Sequence, residues 1–115
     1  MVKLEDLSAE IQTFCQERDW GQFHSPKNLA MALSVEASEL LEVFMWLTPE
    51  QSQALTQEQR AAAKDELGDV MMCLLNLAHR LGIDPLQAAA DKLEKTKEKY
   101  PVEKAKGLAK KYHEL

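Results

Sequence analysis

Leu33-Ser34-Val35-Glu36-Ala37-Ser38-Glu39-Leu40-Leu41 and Lys64-Asp65-Glu66-Leu67-Gly68-Asp69-Val70-Met71 decide how this chain folds. Each stretch sets an acidic pair, spaced three apart, inside an apolar run with helical spacing. Residues three apart share a helix face, so each pair aims two carboxylates the same way. A shift of 30 residues lays Glu36 on Glu66 and Glu39 on Asp69. The same shift pairs Leu40 with Val70, Leu41 with Met71, Phe44 with Leu74 and Leu47 with Leu77. At about 100° per residue, one acidic stripe reads Glu36, Glu39, Val43, Trp46 and the other Glu66, Asp69, Cys73, Asn76. An apolar core stripe lies beside each. Two such helices packed antiparallel would face four carboxylates across one groove.

Outward from these stretches, everything reads as helix. β-Branched residues are few and alternation is absent. A first helix is predicted from about Lys3 to Arg18, with Leu4, Leu7, Ile11, Phe14 and Cys15 as its apolar stripe. A loop follows through Asp19 to His24. Ser25-Pro26 reads as N-cap and first helical residue of a second helix, which runs to about Leu47 and stops before Thr48-Pro49. The polar segment from Glu50 to Gln59 has room for a short helical turn. A long third helix spans about Gln57 to Leu81, closed by Gly82. Asp84-Pro85 starts a fourth, which runs to about Lys99 and ends before Pro101. Val102 to Leu115 holds one more short helix, broken near Gly107. The fold class is therefore all-α, a bundle of four to five helices, with residues 1–115 forming one domain.

Composition narrows the function. At 45% hydrophobic and 29% charged residues, the chain has the balance of a soluble globular protein. No apolar run reaches the length of a membrane span, and the N-terminus lacks the pattern of a signal peptide. Cys15 and Cys73 fall in helical patterns without metal-type spacing, so they read as small buried hydrophobes. These features point to a cytoplasmic protein without membrane association. Residues 1–90 hold 14 acidic and six basic side chains, a balance of −8, whereas residues 91–115 hold five acidic side chains and eight lysines, a balance of +3. An acidic body lacks the basic footprint that a nucleic acid polymer requires.

Carboxylates clustered near a core are costly unless a positive charge compensates them. Four carboxylates without His or Cys select a hard cation with oxygen ligands. Di-iron bundles use Glu-x-x-His pairs, and zinc sites prefer nitrogen or sulfur. Magnesium, or manganese in its place, fits best. Magnesium shares its coordination shell with substrate phosphates, which suggests phosphoryl or pyrophosphoryl chemistry. His24 follows Trp20 and Phe23 in the loop before the second helix. Trp46 offers a flat face for a base. Lys92, Lys95, Lys99 and Tyr100 share helical spacing and could reach phosphates or stay solvated. No P-loop, Gly-rich dinucleotide turn or nucleophile elbow is present.

The series Arg18-Asp19-Trp20-x-x-Phe23-His24-x-Pro26-x-Asn28-Leu29, then Glu36-x-x-Glu39, Trp46, Glu66-x-x-Asp69 and Lys99-Tyr100-Pro101, resembles the MazG-like nucleotide pyrophosphohydrolases, closest to the small dCTP pyrophosphatase branch. The similarity runs from about residue 7 to the end. It implies an all-α fold and magnesium-dependent hydrolysis of a nucleoside triphosphate to the monophosphate and pyrophosphate. A deoxynucleotide, dCTP or a modified dCTP, is the expected substrate, and nucleotide-pool cleaning the expected role. The resemblance assigns Glu36, Glu39, Glu66 and Asp69 to the metal. It places His24, Asn28 and Trp46 near the nucleotide, and Lys92, Lys99 and Tyr100 at its phosphate end. It also implies a homodimer or homotetramer. Cys73 and Thr96 depart from the pattern, standing where close relatives tend to have Tyr and Asn.

The expected mechanism has the carboxylates and magnesium gripping the triphosphate while a water attacks the α-phosphorus and pyrophosphate leaves. Glu36 or Glu39 orients that water, and lysines of the fourth helix stabilise the leaving group. Two other readings stay open: a non-catalytic nucleotide-binding or sensing module, and a helical interaction protein whose acidic pairs are only surface.

Overall fold

The structure is a computed structural model describing residues 1–115. It contains helices and turns and no strand. Two compact units divide the chain, Met1–Gly82 and Ile83–Leu115.

The first unit is built on three long helices. Helix α1 spans Leu4–Glu17. Asp19 then takes a left-handed conformation, φ 53°, which Asp tolerates better than most residues. That turn leads into a 3-10 helix, Trp20–Phe23, in the stretch expected to be a loop. Helix α2 covers Pro26–Phe44, with Ser25 accepting from the backbone N–H of Asn28. A single turn, α3 (Pro49–Ser52), follows. Helix α4 covers Gln57–Leu81 and closes on Gly82 at φ 65°, a conformation that glycine adopts without steric cost. Both α3 and α4 open with a capping box, Thr48 with Gln51 and Thr56 with Gln59. Each box satisfies two backbone donors at a helix start.

One boundary departs from the expectation. Helix α2 ends at Phe44 and not at Leu47. The chain tightens there, with the Leu47 N–H donating to the Phe44 carbonyl at 2.9 Å. Thr48 must be extended (φ −72°, ψ 162°) to cap α3, so the turn has to begin before it.

Helices α2 and α4 run antiparallel. Near the start of α2, His24 meets Asn76. In mid-helix, Glu36 and Glu39 meet Glu66 and Asp69. At its end, Phe44 shares a cavity with Arg60 and Lys64. Helix α1 lies parallel to α4: Leu7 shares a cavity with Met72, Gln12 bonds Asn76, and Gln16 lies with His79 and Arg80 around a second cavity. The core between the three is small. Cys15, Leu29, Ala63, Leu75 and Ala78 are its buried apolar residues. Full burial of a leucine such as Leu75 contributes about 1.5–3 kcal/mol.

The second unit holds α5 (Pro85–Lys99), the single turn α6 (Val102–Ala105) and a 3-10 turn, Tyr112–Glu114. Asp84 caps α5 by accepting from the N–H groups of Leu86 and Gln87. The tail breaks at Gly107, φ 80°, as expected.

Candidate metal centre and adjoining cavity

Antiparallel packing turns the two acidic pairs toward each other. One carboxylate oxygen from each of Glu36, Glu39, Glu66 and Asp69 lies within 4.8 Å of the others. All four side chains are half-buried. Glu36 and Glu66 each keep one oxygen, Oε2, buried without a hydrogen-bond donor. Buried polar atoms are paired as a rule, so two orphaned acceptors in one cluster need a positive partner. Protons are one solution. Burial pushes the Glu36 carboxyl above its ordinary value of 4.5, helped by hydrogen bonding to Glu39 and repulsion from Glu39, Asp69 and Glu66. Glu66 is raised too, by burial first and then by repulsion from Glu39 and Asp69. A divalent cation is the other solution. The all-oxygen donor set suits a hard ion, and the orphaned oxygens are where such an ion would bind.

A cavity of about 610 Å³ lies beside this cluster. Leu7, Ile11, Phe14, Leu29 and Met72 give it apolar walls, and Trp20 and Phe23 add aromatic faces. His24, Asn28, Cys73 and Asn76 are polar groups on the same lining. Few polar groups on an apolar concavity is the usual build of a small-molecule site. Cys73 stands at the border with the acids. Its thiol is pushed up, by burial first and then by Glu36 and Asp69.

The expected site residues meet different fates. The four acids converge as the 30-residue register implied. His24 and Asn28 reach the cavity wall. Asn28 also ties the 3-10 turn to α2, its side-chain amide donating to the Phe23 carbonyl at 2.9 Å. Trp46 is not on helix α2 in register with Glu36. It lies in the turn beyond the helix, 86% exposed, and lines none of the cavities described. Lys92 and Lys99 lie on α5 in the second unit, with Tyr100 capping it. Within that unit, the Tyr100 ring packs edge-on to Tyr112 at 6.2 Å, and Lys99 Nζ sits 4.7 Å from the centre of the Tyr112 ring. The Thr96 hydroxyl donates to the Lys92 carbonyl at 2.8 Å, a bond internal to α5.

Two residues that the sequence reading gave no role line up behind His24. Gln12 donates to Asn76 Oδ1 at 3.0 Å, and Asn76 Nδ2 lies 3.2 Å from His24 Nδ1. Asn76 is the buried polar residue of the core, 6% exposed. Its place on the acidic stripe, in an otherwise apolar stretch, was the available signal.

Known proteins agree with this architecture. Residues 31–115 match the family model of the MazG-like family. The chain is 41% identical to dCTP pyrophosphatase 1 of Mus musculus and 40% identical to that of Homo sapiens, over 97% of this chain and 67% of each relative. A crystal structure of a pyrophosphatase from Archaeoglobus fulgidus superposes with a TM-score of 0.82 at 33% identity, covering 88% of this chain and 94% of that one. The family model, the relatives over 97% of the chain and the shared helical fold agree, and this chain belongs to the MazG-like family of pyrophosphohydrolases.

Proposed function

We propose that the protein hydrolyses a nucleoside triphosphate to the monophosphate and pyrophosphate with magnesium, manganese substituting, and that dCTP or a modified dCTP is its preferred substrate. The observation that carries this reading is the four-carboxylate cluster, with its two orphaned buried oxygens, set beside a cavity of the size and lining suited to a nucleobase. The relatives named dCTP pyrophosphatase 1 support the choice of base. Removal of unwanted deoxynucleotides from the pool is the role that follows.

Glu36, Glu39, Glu66 and Asp69 would hold the cation. When bound there, it would neutralise negative charge on the triphosphate. Glu36 or Glu39 accepts a proton from water as the water oxygen bonds to the α-phosphorus. The bond from that phosphorus to the bridging oxygen breaks, and pyrophosphate leaves with the electron pair. The apolar cavity walls exclude bulk water from the base. Asn28 and His24 supply polar contacts, and Trp46, on the exposed turn after α2, offers a stacking face outside the cavity.

We also propose a homodimer or a dimer-based homotetramer. Leu67, Met71 and Leu74 form an i, i+4, i+7 stripe on α4 that stays exposed, and Met31 and Val35 do the same on α2. Contiguous apolar faces of this kind mark interaction surfaces.

The decisive measurement is pyrophosphate release from a panel of canonical and modified nucleotides, with and without magnesium. Glu39→Gln and Glu66→Gln keep size and remove charge. Both should lose magnesium-dependent turnover by about 100-fold or more while circular dichroism stays helical. Near-normal turnover in both variants would sink the assignment. Nucleotide binding without pyrophosphate release, across the whole panel, would instead identify a sensing module.

A further inference from the structure

We infer that Gln12 and Asn76 are positioning residues that set the tautomer of His24, so that the cavity presents an Nε2–H donor and selects a base with a hydrogen-bond acceptor. This rests on the nucleotide reading above and deepens it.

The inference starts from the bond between the Gln12 and Asn76 amides as the structure places them. Gln12 Nε2 can only donate, so Asn76 Oδ1 accepts from it at 3.0 Å. That leaves the Asn76 amide nitrogen turned to His24 Nδ1 at 3.2 Å. An amide nitrogen has no acceptor capacity, so Nδ1 must supply the lone pair. In the neutral ring the proton then resides on Nε2. Reversing the chain would require both amides to turn over together. Turned over alone, either amide would set two donors or two acceptors against each other, so Asn76, 6% exposed between α1 and α4, makes the chain keep one direction as a unit. The relay thus crosses three elements: α1, α4 and the turn before α2.

The consequence lies at the cavity. His24 is part of its lining, and its Nε2–H has no acceptor among the protein's hydrogen bonds. A donor fixed this way pairs with a carbonyl oxygen or an unprotonated ring nitrogen. A base that offers only an N–H at that point would leave two donors facing each other. Sites built around one hydrogen bond reject mismatched ligands far better than apolar pockets do.

The test uses the full chain and a residue remote from the ring. In Gln12→Glu, the carboxylate can only accept. Asn76 must then donate toward residue 12 and turn its oxygen to His24, which moves the ring proton to Nδ1. Long-range 1H–15N spectra of histidine-labelled protein, without nucleotide at about pH 8, should show Nε2 protonated in the wild type and Nδ1 protonated in the variant. The KM for dCTP should rise about tenfold, with kcat changing less. An Nδ1-protonated wild type, or an unmoved tautomer in Gln12→Glu, would overturn the relay. An inverted tautomer with unchanged KM would overturn the recognition step. Because the spectra need no substrate, a failure of the pyrophosphohydrolase reading would appear separately, as absent turnover over an intact relay.

Discussion

Glu36 and Glu66 show how a single side chain can weaken a fold and serve a site. Their carboxyls are raised above 4.5 by burial and by neighbouring acids, so the folded chain holds these protons more tightly than the unfolded chain. That contribution to stability is fully present below about pH 4.5 and is lost as pH rises through the raised folded values. Thermal unfolding of metal-free protein should therefore shift to lower temperature as pH climbs above 4.5. On the metal reading proposed above, magnesium would bind the ionised form and should oppose the loss. Glu36→Gln should flatten this pH slope and weaken magnesium binding at least tenfold, since even outer partners of metal ligands are worth about 10- to 100-fold. An unchanged slope in the variant would show that Glu36 is not the strained group. The acids were legible in the sequence because a spacing of three marks a helix face by itself. The Gln12–Asn76 bond was not legible, because it joins residues 64 positions apart and neither side chain announces its partner.

At the scale of elements, the capping chemistry decides where the site sits. Ser25-Pro26, Asp84-Pro85 and Gly82 announced three helix ends directly, and each holds in the structure. The end of α2 was missed because Pro49 was read as the stop, whereas the Thr48–Gln51 capping box demanded an earlier exit at Phe44. That shift of three residues is what takes Trp46 off the helical stripe. Thr56 caps the helix that carries both Glu66 and Asp69. Thr56→Ala should cost about 0.5–2 kcal/mol of stability in urea unfolding. It should leave magnesium affinity near the wild-type value, because the cap lies nearly three turns from Glu66. A large loss of affinity would mean that the first turns of α4 and the site move together.

For the whole molecule, the pairing of α2 with α4 was legible through the shared 30-residue register, and the extent of uncovered apolar surface was not. Periodicity tells which side chains share a face; it does not tell whether this chain or another covers them. Leu67→Glu places a charge on the open α4 stripe, so size-exclusion chromatography with light scattering should show a shift from oligomer toward monomer with helicity retained. An unchanged oligomeric mass would place the interface elsewhere, and a monomeric wild type would overturn the proposed oligomer. The seam between α2 and α4 also has a consequence in time. Two like-charged faces joined at mid-helix part more readily when bare than when a cation bridges them, since whatever binds only the closed form lengthens its stay there. On the magnesium reading proposed above, the protein's lifetime against proteases would follow the free magnesium around it, and the cation would guard the chain as well as serve its chemistry.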